Sequence, residues 1–322
     1  MRAVIAQNSK PDIVELPTPE PRPNEVLIRV KATALNRADL LQVRGLYPPP
    51  PDAPSTLGLE FAGEVAAVGS EVSSYRVGDR VMALVGGGGY AEYAAVASAH
   101  CMPIPDEFSY EQAAAIPEAF LTAYSNLIEL GGLKAGDKVL IHAGASSVGL
   151  AGIQIARVIG ATVMVTASAA KHDSCKQNGA QLTIDYKTEN FADVIRAQYG
   201  GVDLIIDMVG APYWDDNVRA LSNWGRIVFV GMQGGSVKEV NFSDIMRKRL
   251  KVTGSTLRSR THAEKAALIA DFWTWAEAYF ISGVLKPVIW RVMPFEQVEE
   301  ALHLMSENAN AGKIVLQLES GK

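Results

Sequence analysis

The sequence predicts an α/β protein in which a β-rich unit precedes a doubly wound, parallel-sheet unit. Three successive textures predict it. Residues 1–118 carry short β-branched runs broken by turn residues, and from about residue 119 strand-like runs alternate with helix-like ones. After about residue 264 come a long helix, a second helix and a final strand. The 322 residues suffice for about two domains with cores of their own.

In the first stretch, Glu25–Lys31 alternates as a half-buried strand should, and 62–68 and 80–85 are similar candidates. Pro17, Pro19, Pro21, Pro23, Gly69-Ser70 and Gly78-Asp79 mark turns between them. Pro48–Pro51 must be extended. The run Gly86–Gly89 reads as a flexible loop or as a loop beside a ligand. In the second stretch, strands are expected at 138–142, 162–166, 182–185, 204–207, 226–230 and 251–253, with helices at 148–159 and 171–178. Gly160 and Gly179 fall where helix C-caps belong. The last stretch reads as helix 263–281, strand-like 283–292, helix 295–308 and strand 313–318.

Composition excludes several classes. The net charge is −5 and the pI near 5.6, which leaves no electrostatic footprint for nucleic acid or an anionic membrane surface. Cys101 and Cys175 are too few for a disulfide framework or a cysteine-rich zinc site and read as reduced structural thiols. The opening MRAVIAQNSKPD has no apolar core of a signal peptide, and no run is apolar enough to span a membrane. The expectation is a soluble protein of the cytoplasm.

The strongest motif is HAGASSVGLAGIQIAR, residues 142–157. Gly144 and Gly149 are spaced as the outer glycines of G-x-G-x-x-G, after a strand and before a helix, the context the fingerprint requires. Gly144 is expected to make the turn and Gly149 to let helix and strand pack closely. Ser146 stands at the central position, small enough for the backbone to approach a diphosphate and able to donate its hydroxyl. An acid about 20 residues on would bind the 2′-hydroxyl of NAD. No carboxylate occurs from Val158 to His172, and Ser168, Lys171 and His172 are offered instead, so NADPH is favoured over NADH.

No H-E-x-x-H, C-x-x-C, G-x-S-x-G or Walker sequence occurs, and no two of the five histidines share a metal-ligand spacing. No metal is expected, and His142 reads as a packed core residue. Hydride transfer needs placement and a polarising donor. Asn36 and Tyr47, in LNRADLLQVRGLY, are the catalytic candidates, and Asp39 and Arg44 read as helix-surface charges.

The stretches LNRADLLQVRGLYPPPP, LGLEFAGEV, VGDRVMAL, GGGGYAEY, FLTAY, HAGASSVGLAGIQIAR, STLRSR and NAGKIVLQL together resemble the medium-chain dehydrogenase/reductase superfamily. They most resemble its zinc-free, zeta-crystallin-like quinone oxidoreductases, and within these the stress-inducible NADPH:quinone oxidoreductase subgroup. The resemblance implies a GroES-like catalytic domain, residues 1–118 plus 265–322, with a Rossmann NADPH-binding domain, 119–264, inserted in it and the active site in the cleft. Zinc-dependent relatives carry a cysteine near Asn36 and a histidine at Leu59. Neither is present.

The resemblance also implies residue roles. Asn36 and Thr122 would contact the nicotinamide end, and Ser146, Ser147 and Val148 the diphosphate. Lys171 and Tyr186 would face the 2′-phosphate, while Ser255, Leu257 and Asn310 close around the cofactor. Tyr47 would assist substrate reduction. Ala169 and Ala170 replace a serine and a glutamine of close relatives, which weakens the NADPH preference. The implied activity is reduction of quinones, above all ortho-quinones. The alternatives are reduction of activated C=C bonds in enones or 2-alkenals, or a structural or single-stranded nucleic-acid-binding role. For the last, only Arg247-Lys248-Arg249 with Lys251 offers a basic patch, read as a solvated helix end. A homodimer is implied, joined around Val252–Leu257.

Overall fold

Asn8 and Ser9 carry φ of 50° and 59°. Two consecutive left-handed residues make a type I′ turn, whose twist suits paired strands. They join β1 (Arg2–Gln7) to antiparallel β2 (Lys10–Glu15). The sequence signal for this hairpin is weak, because its loop has no glycine. The computed structural model describes residues 1–318. It divides into two units, one formed by Met1–Leu121 and the chain from Leu257 on, the other by Thr122–Thr256.

In the first unit β3 (Glu25–Ala34) alternates as its sequence predicts, with Val26, Ile28, Val30 and Ala32 at most 3% exposed. The short helix α1 (Arg37–Val43) follows. Then come β4 (Glu60–Val68), β5 (Arg80–Leu84), β6 (Tyr93–Ala97) and β7 (Cys101–Pro103). Helices α2 (Tyr110–Ala114) and α3 (Pro117–Tyr124) close the segment.

The second unit opens with a π-helical turn, Ser125–Leu130. Its strands are β8 (Lys138–Ile141), β9 (Thr162–Ala167), β10 (Leu182–Asp185), β11 (Val202–Asp207), β12 (Leu221–Phe229) and β13 (Lys251–Gly254). Between them run α4 (Ser147–Ile159), α5 (His172–Asn178), α6 (Phe191–Tyr199), α7 (Trp214–Ala220) and α8 (Phe242–Lys248). All strand pairs are parallel, in the order β10-β9-β8-β11-β12-β13, the doubly wound arrangement that puts ligands at the carboxyl ends of the central strands. Such strands are covered on both faces, which is why Val139, Leu140, Ile141, Leu204, Ile205 and Ile206 are all buried. Gly160 and Gly179 cap their helices with φ of 88° and 117°, a conformation that favours glycine.

The chain then returns to the first unit through α9 (His262–Ile281), β14 (Ile289–Pro294), α10 (Val298–Ser306) and β15 (Lys313–Gln317). β15 lies between β14 and β3 in a sheet ordered β14-β15-β3-β4-β5-β7, with β6 also on β3.

Four expectations change. The strand expected over 283–292 begins only at Ile289. Asp39 is not a surface charge: it is fully buried. The glycine run is not a flexible loop: a Cβ on Gly87 would lie 2.4 Å from the Pro54 carbonyl oxygen, and one on Gly89 2.9 Å from that of Glu60. The basic patch is not merely solvated: Lys248 Nζ donates to the carbonyls of Val218 (2.5 Å) and Leu221 (2.7 Å) at the end of α7, and Arg249 lies over the Trp224 ring.

Candidate cofactor and active site

In the second unit, the turn from β8 to α4 is built by close approach. A Cβ on Gly149 would stand 2.5 Å from the carbonyl oxygens of Ala143 and Gly144, and one on Gly144 2.5 Å from Val165 Cβ. Gly149 thus has the packing role its spacing predicts. Gly144 is needed for contact with β9, while the left-handed residue of the turn is Ala143, at φ 50°.

Ser146 is the N-cap of α4. Its Oγ accepts the N–H of Gly149 (3.0 Å), its carbonyl takes that of Leu150 (2.8 Å), and its hydroxyl points to Met208 Sδ (3.9 Å). Its side chain therefore terminates the helix, a role the glycine fingerprint does not suggest. The N–H groups of Ser147 and Val148 are the first two of a helix and have no partner within it. Both residues are partly exposed, so this end of the helix can receive an anion.

The other residues expected near a nucleotide sit at neighbouring strand ends. Ile141 pairs with Val165, and Ala167 with Asp185, so Ser168 and Tyr186 each follow the end of one of two adjacent strands. Tyr186 is 48% exposed, and Ser168 and Lys171 are partly exposed. One carboxylate, Asp185, does stand at this edge, one strand over from β9. Its oxygens are turned to its own loop, accepting from Lys187 N–H (3.2 Å) and Thr188 Oγ1 (3.3 Å). Ser255, beyond β13, donates its N–H to the Phe229 carbonyl (2.9 Å). Thr122 is buried, and its Oγ1 has no hydrogen-bond partner among the described residues.

Behind the turn lies a buried polar chain. Burial holds His142 below its usual pKa, so it is neutral, with Nε2–H donating to Asn217 Oδ1 (2.7 Å) and Nδ1 accepting from Thr166 Oγ1 (2.9 Å). Asn217 donates to Asp207 Oδ2 (2.7 Å), and Asp207 Oδ1 accepts the N–H groups of Val209 and Gly210. His142 is the core residue its position predicts.

In the first unit, Asn36 belongs to a buried ionic network. Lys313 Nζ contacts Glu60 Oε1 and donates to Asn36 Oδ1 (2.6 Å), and Asn36 Nδ2 donates to Glu60 Oε1 (2.9 Å). Glu60 Oε2 accepts the backbone N–H of Glu118 (2.8 Å). Lys313 and Glu60 are 2% and 0% exposed. Asp39 Oδ2 accepts from the Tyr90 hydroxyl (2.6 Å) and Asn36 N–H (2.7 Å), while burial pushes its pKa up to about 6. Lysine in the apolar run KIVLQL was the available sequence signal for this network, since a buried lysine must be paired.

Tyr47 is partly buried, which raises its pKa, and its hydroxyl makes no hydrogen bond among the described residues. Arg258, from STLRSR, holds it in place. It donates to the Tyr47 carbonyl (3.0 Å), the Gly86 carbonyl (2.8 Å) and Gln42 Oε1 (2.6 Å), and its guanidinium lies 5.1 Å from the Tyr47 ring centroid. Arg258→Met is expected to destabilise the protein by about 1–3 kcal/mol, because buried acceptors lose their donor. Urea unfolding reads this loss. Leu257 is buried beside it, and Asn310 Nδ2 donates to the Gly312 carbonyl (2.7 Å).

Comparison with known proteins places these features. Residues 22–106 match the alcohol dehydrogenase GroES-like domain and residues 147–272 the zinc-binding dehydrogenase family. The human quinone oxidoreductase is 35% identical over 328 residues, covering 99% of this chain and 98% of the relative. The rat synaptic vesicle membrane protein VAT-1 homolog is also 35% identical, over 92% of this chain and 78% of its own. The Escherichia coli quinone oxidoreductase complexed with NADPH superposes with a TM-score of 0.89 at 29% identity, covering 98% of this chain and 99% of the other.

The zinc of the family name does not fit the residues present. Leu59 is apolar and buried, and the Asn36 and Glu60 oxygens already hold the Lys313 ammonium. Among the described residues no group of three histidine, cysteine or carboxylate side chains is arranged to hold a metal. A GroES-like domain and a parallel-sheet Rossmann domain thus occur in one chain alongside quinone oxidoreductase relatives, and the chain belongs to the medium-chain dehydrogenase/reductase superfamily, on its zinc-free quinone oxidoreductase branch.

Proposed function

We propose that this protein is an NADPH-dependent quinone oxidoreductase acting on quinones, ortho-quinones above all. As a member of this family, the protein is an oxidoreductase that works with a nicotinamide cofactor. The observation that carries the NADPH reading is the start of α4, where two N–H groups have no helical partners and no carboxylate ends the adjoining strand β9. NADPH fits these residues. Ser147 and Val148 would hold the diphosphate, with Gly144 and Gly149 allowing the approach and Ser146 fixing the helix start. Ser168, Lys171 and Tyr186 would take the 2′-phosphate. The unpartnered Thr122 Oγ1 would hydrogen-bond the nicotinamide end, with Ser255, Leu257 and Asn310 around the cofactor.

When bound, the cofactor supplies the hydride. The chain's own residues place and polarise the acceptor. Tyr47 presents its hydroxyl to a substrate oxygen and is held by Arg258. Asn36, its amide fixed by Lys313 and Glu60, keeps the start of α1 in place beside them. Rates on 9,10-phenanthrenequinone and on a small enone, both with NADPH, test the substrate class. Preference for the quinone is expected, and preference for the enone would move the reading to C=C reduction.

Lys171→Ala is expected to weaken NADPH binding about tenfold and leave NADH binding unchanged, since one charge-assisted contact to the 2′-phosphate is worth roughly 1.5 kcal/mol. Fluorescence titration with both cofactors measures it. We also propose a homodimer joined along β13, the last strand of its sheet, where Val252 is 42% exposed. Light scattering tests the dimer. Two buried free cysteines suit the reducing cytoplasm proposed as its compartment.

A further inference from the structure

Three carboxyl groups cluster around Asn36, and they differ in one respect. Both oxygens of Glu60 are engaged, and Asp39 is sealed beneath Tyr90. Glu118 alone is partly exposed, and its carboxyl makes no hydrogen bond among the described residues. Its main chain is nevertheless fixed, because its N–H donates to Glu60 Oε2 (2.8 Å), and Glu60 holds Lys313 and Asn36. It lies at the first turn of α3, within electrostatic range of the Tyr47 phenol and of the Arg258 and Lys265 cations. Lys265 is 6% exposed, and its ammonium forms no hydrogen bond or ion pair among the described residues. A mostly buried ammonium and a carboxyl thus interact through their charges without closing a bridge.

We propose that the Glu118 carboxyl is the proton donor of this site. The assignment rests on the quinone reading. A quinone that accepts hydride from NADPH gains two electrons and one hydrogen, and one of its oxygens is left as a phenolate. The Glu118 O–H bond breaks as the second hydroquinone O–H bond forms. The carboxylate that remains regains a proton from solvent.

The electrostatics suit this role. Burial, then the negative charges of Glu60 and Asp39, push Glu118 up to about 7, against the opposing pull of Lys313 and Arg258. An acid is most effective when its pKa lies near the working pH. Tyr47, already a weak acid, is pushed further up by burial and by Glu118, so it can orient a substrate oxygen but holds its proton too firmly. Since the pKa of Glu118 is raised, its acid form is present below about 7 and is lost as pH rises through that value.

The test has two arms. For the wild type, kcat/KM on 9,10-phenanthrenequinone with NADPH is expected to be flat in acid and to fall above pH about 7. Glu118→Gln should lower it by about 100-fold and remove that descending limb. Glu118→Asp should keep the limb at reduced rate, and Tyr47→Phe should slow the reaction with the limb intact. In the second arm, infrared spectra of the ligand-free protein should show a protonated-carboxyl band that disappears as pH rises through about 7 and is missing from Glu118→Gln. A Glu118→Gln enzyme that keeps both rate and limb overturns the assignment, as does a missing band in a protein that reduces quinones. A wild type that reduces no quinone but shows the band overturns the quinone reading and its proton-transfer step, and leaves only the protonated carboxyl standing.

Discussion

Replacing Lys313 with methionine is expected to destabilise the protein by about 3–5 kcal/mol, the cost of leaving one member of a buried ion pair without its partner. The pair is sealed, with side chains 2% and 0% exposed. Lys313 Nζ also reaches Asn36 Oδ1 (2.6 Å) and the Leu35 carbonyl (3.4 Å), so its loss frees the Asn36 amide as well. Adding Glu60→Gln should recover much of the loss, because the buried charge is then gone. The backbone N–H of Glu118 would still find an acceptor in the glutamine carbonyl. Chemical denaturation of the two single variants and the double variant reads the coupling directly. Additive losses would mean that the two side chains do not act as a pair.

Gly149→Ala is expected to weaken NADPH binding about 100-fold, near 2.7 kcal/mol. The added Cβ would meet the carbonyl oxygens of Ala143 and Gly144 at 2.5 Å, and neither can move without moving the turn. The start of α4 must shift, and the Ser147 and Val148 N–H groups shift with it. Ser146→Gly, which restores the missing glycine, is expected to change affinity little. It removes an N-cap at a cost of a few tenths of a kcal/mol, since glycine is itself tolerated there. Fluorescence titration of both variants, with thermal unfolding as a control for folding, separates the two positions.

The second unit was largely legible in the sequence because its signals are local. Six β-branched runs, two capping glycines and a glycine-spaced turn each specify their own element, and the six-stranded sheet has the arrangement they predict. Ser146 shows the limit, for its spacing identified the turn while its capping hydroxyl depends on a backbone geometry no spacing encodes. The first unit was less legible because its site is assembled from distant segments. Asn36, Glu60, Glu118 and Lys313 are far apart in the chain and meet only when β15 pairs with β3 beside β4. Asp39 reads as a helix-surface charge because nothing near it in sequence announces Tyr90. Arg258 likewise belongs to a recognisable stretch, but its acceptors come from two other segments, Gln42 and Tyr47 in one and Gly86 in the other.

The proposed function depends on a phosphate-binding turn at α4 that prefers the phosphorylated dinucleotide. Calorimetric titration of the purified protein with NADPH and then NADH tests it most directly. NADPH should bind at least about tenfold more tightly, as one extra charge-assisted phosphate contact requires. NADH binding of equal strength, or no binding of either, would contradict it.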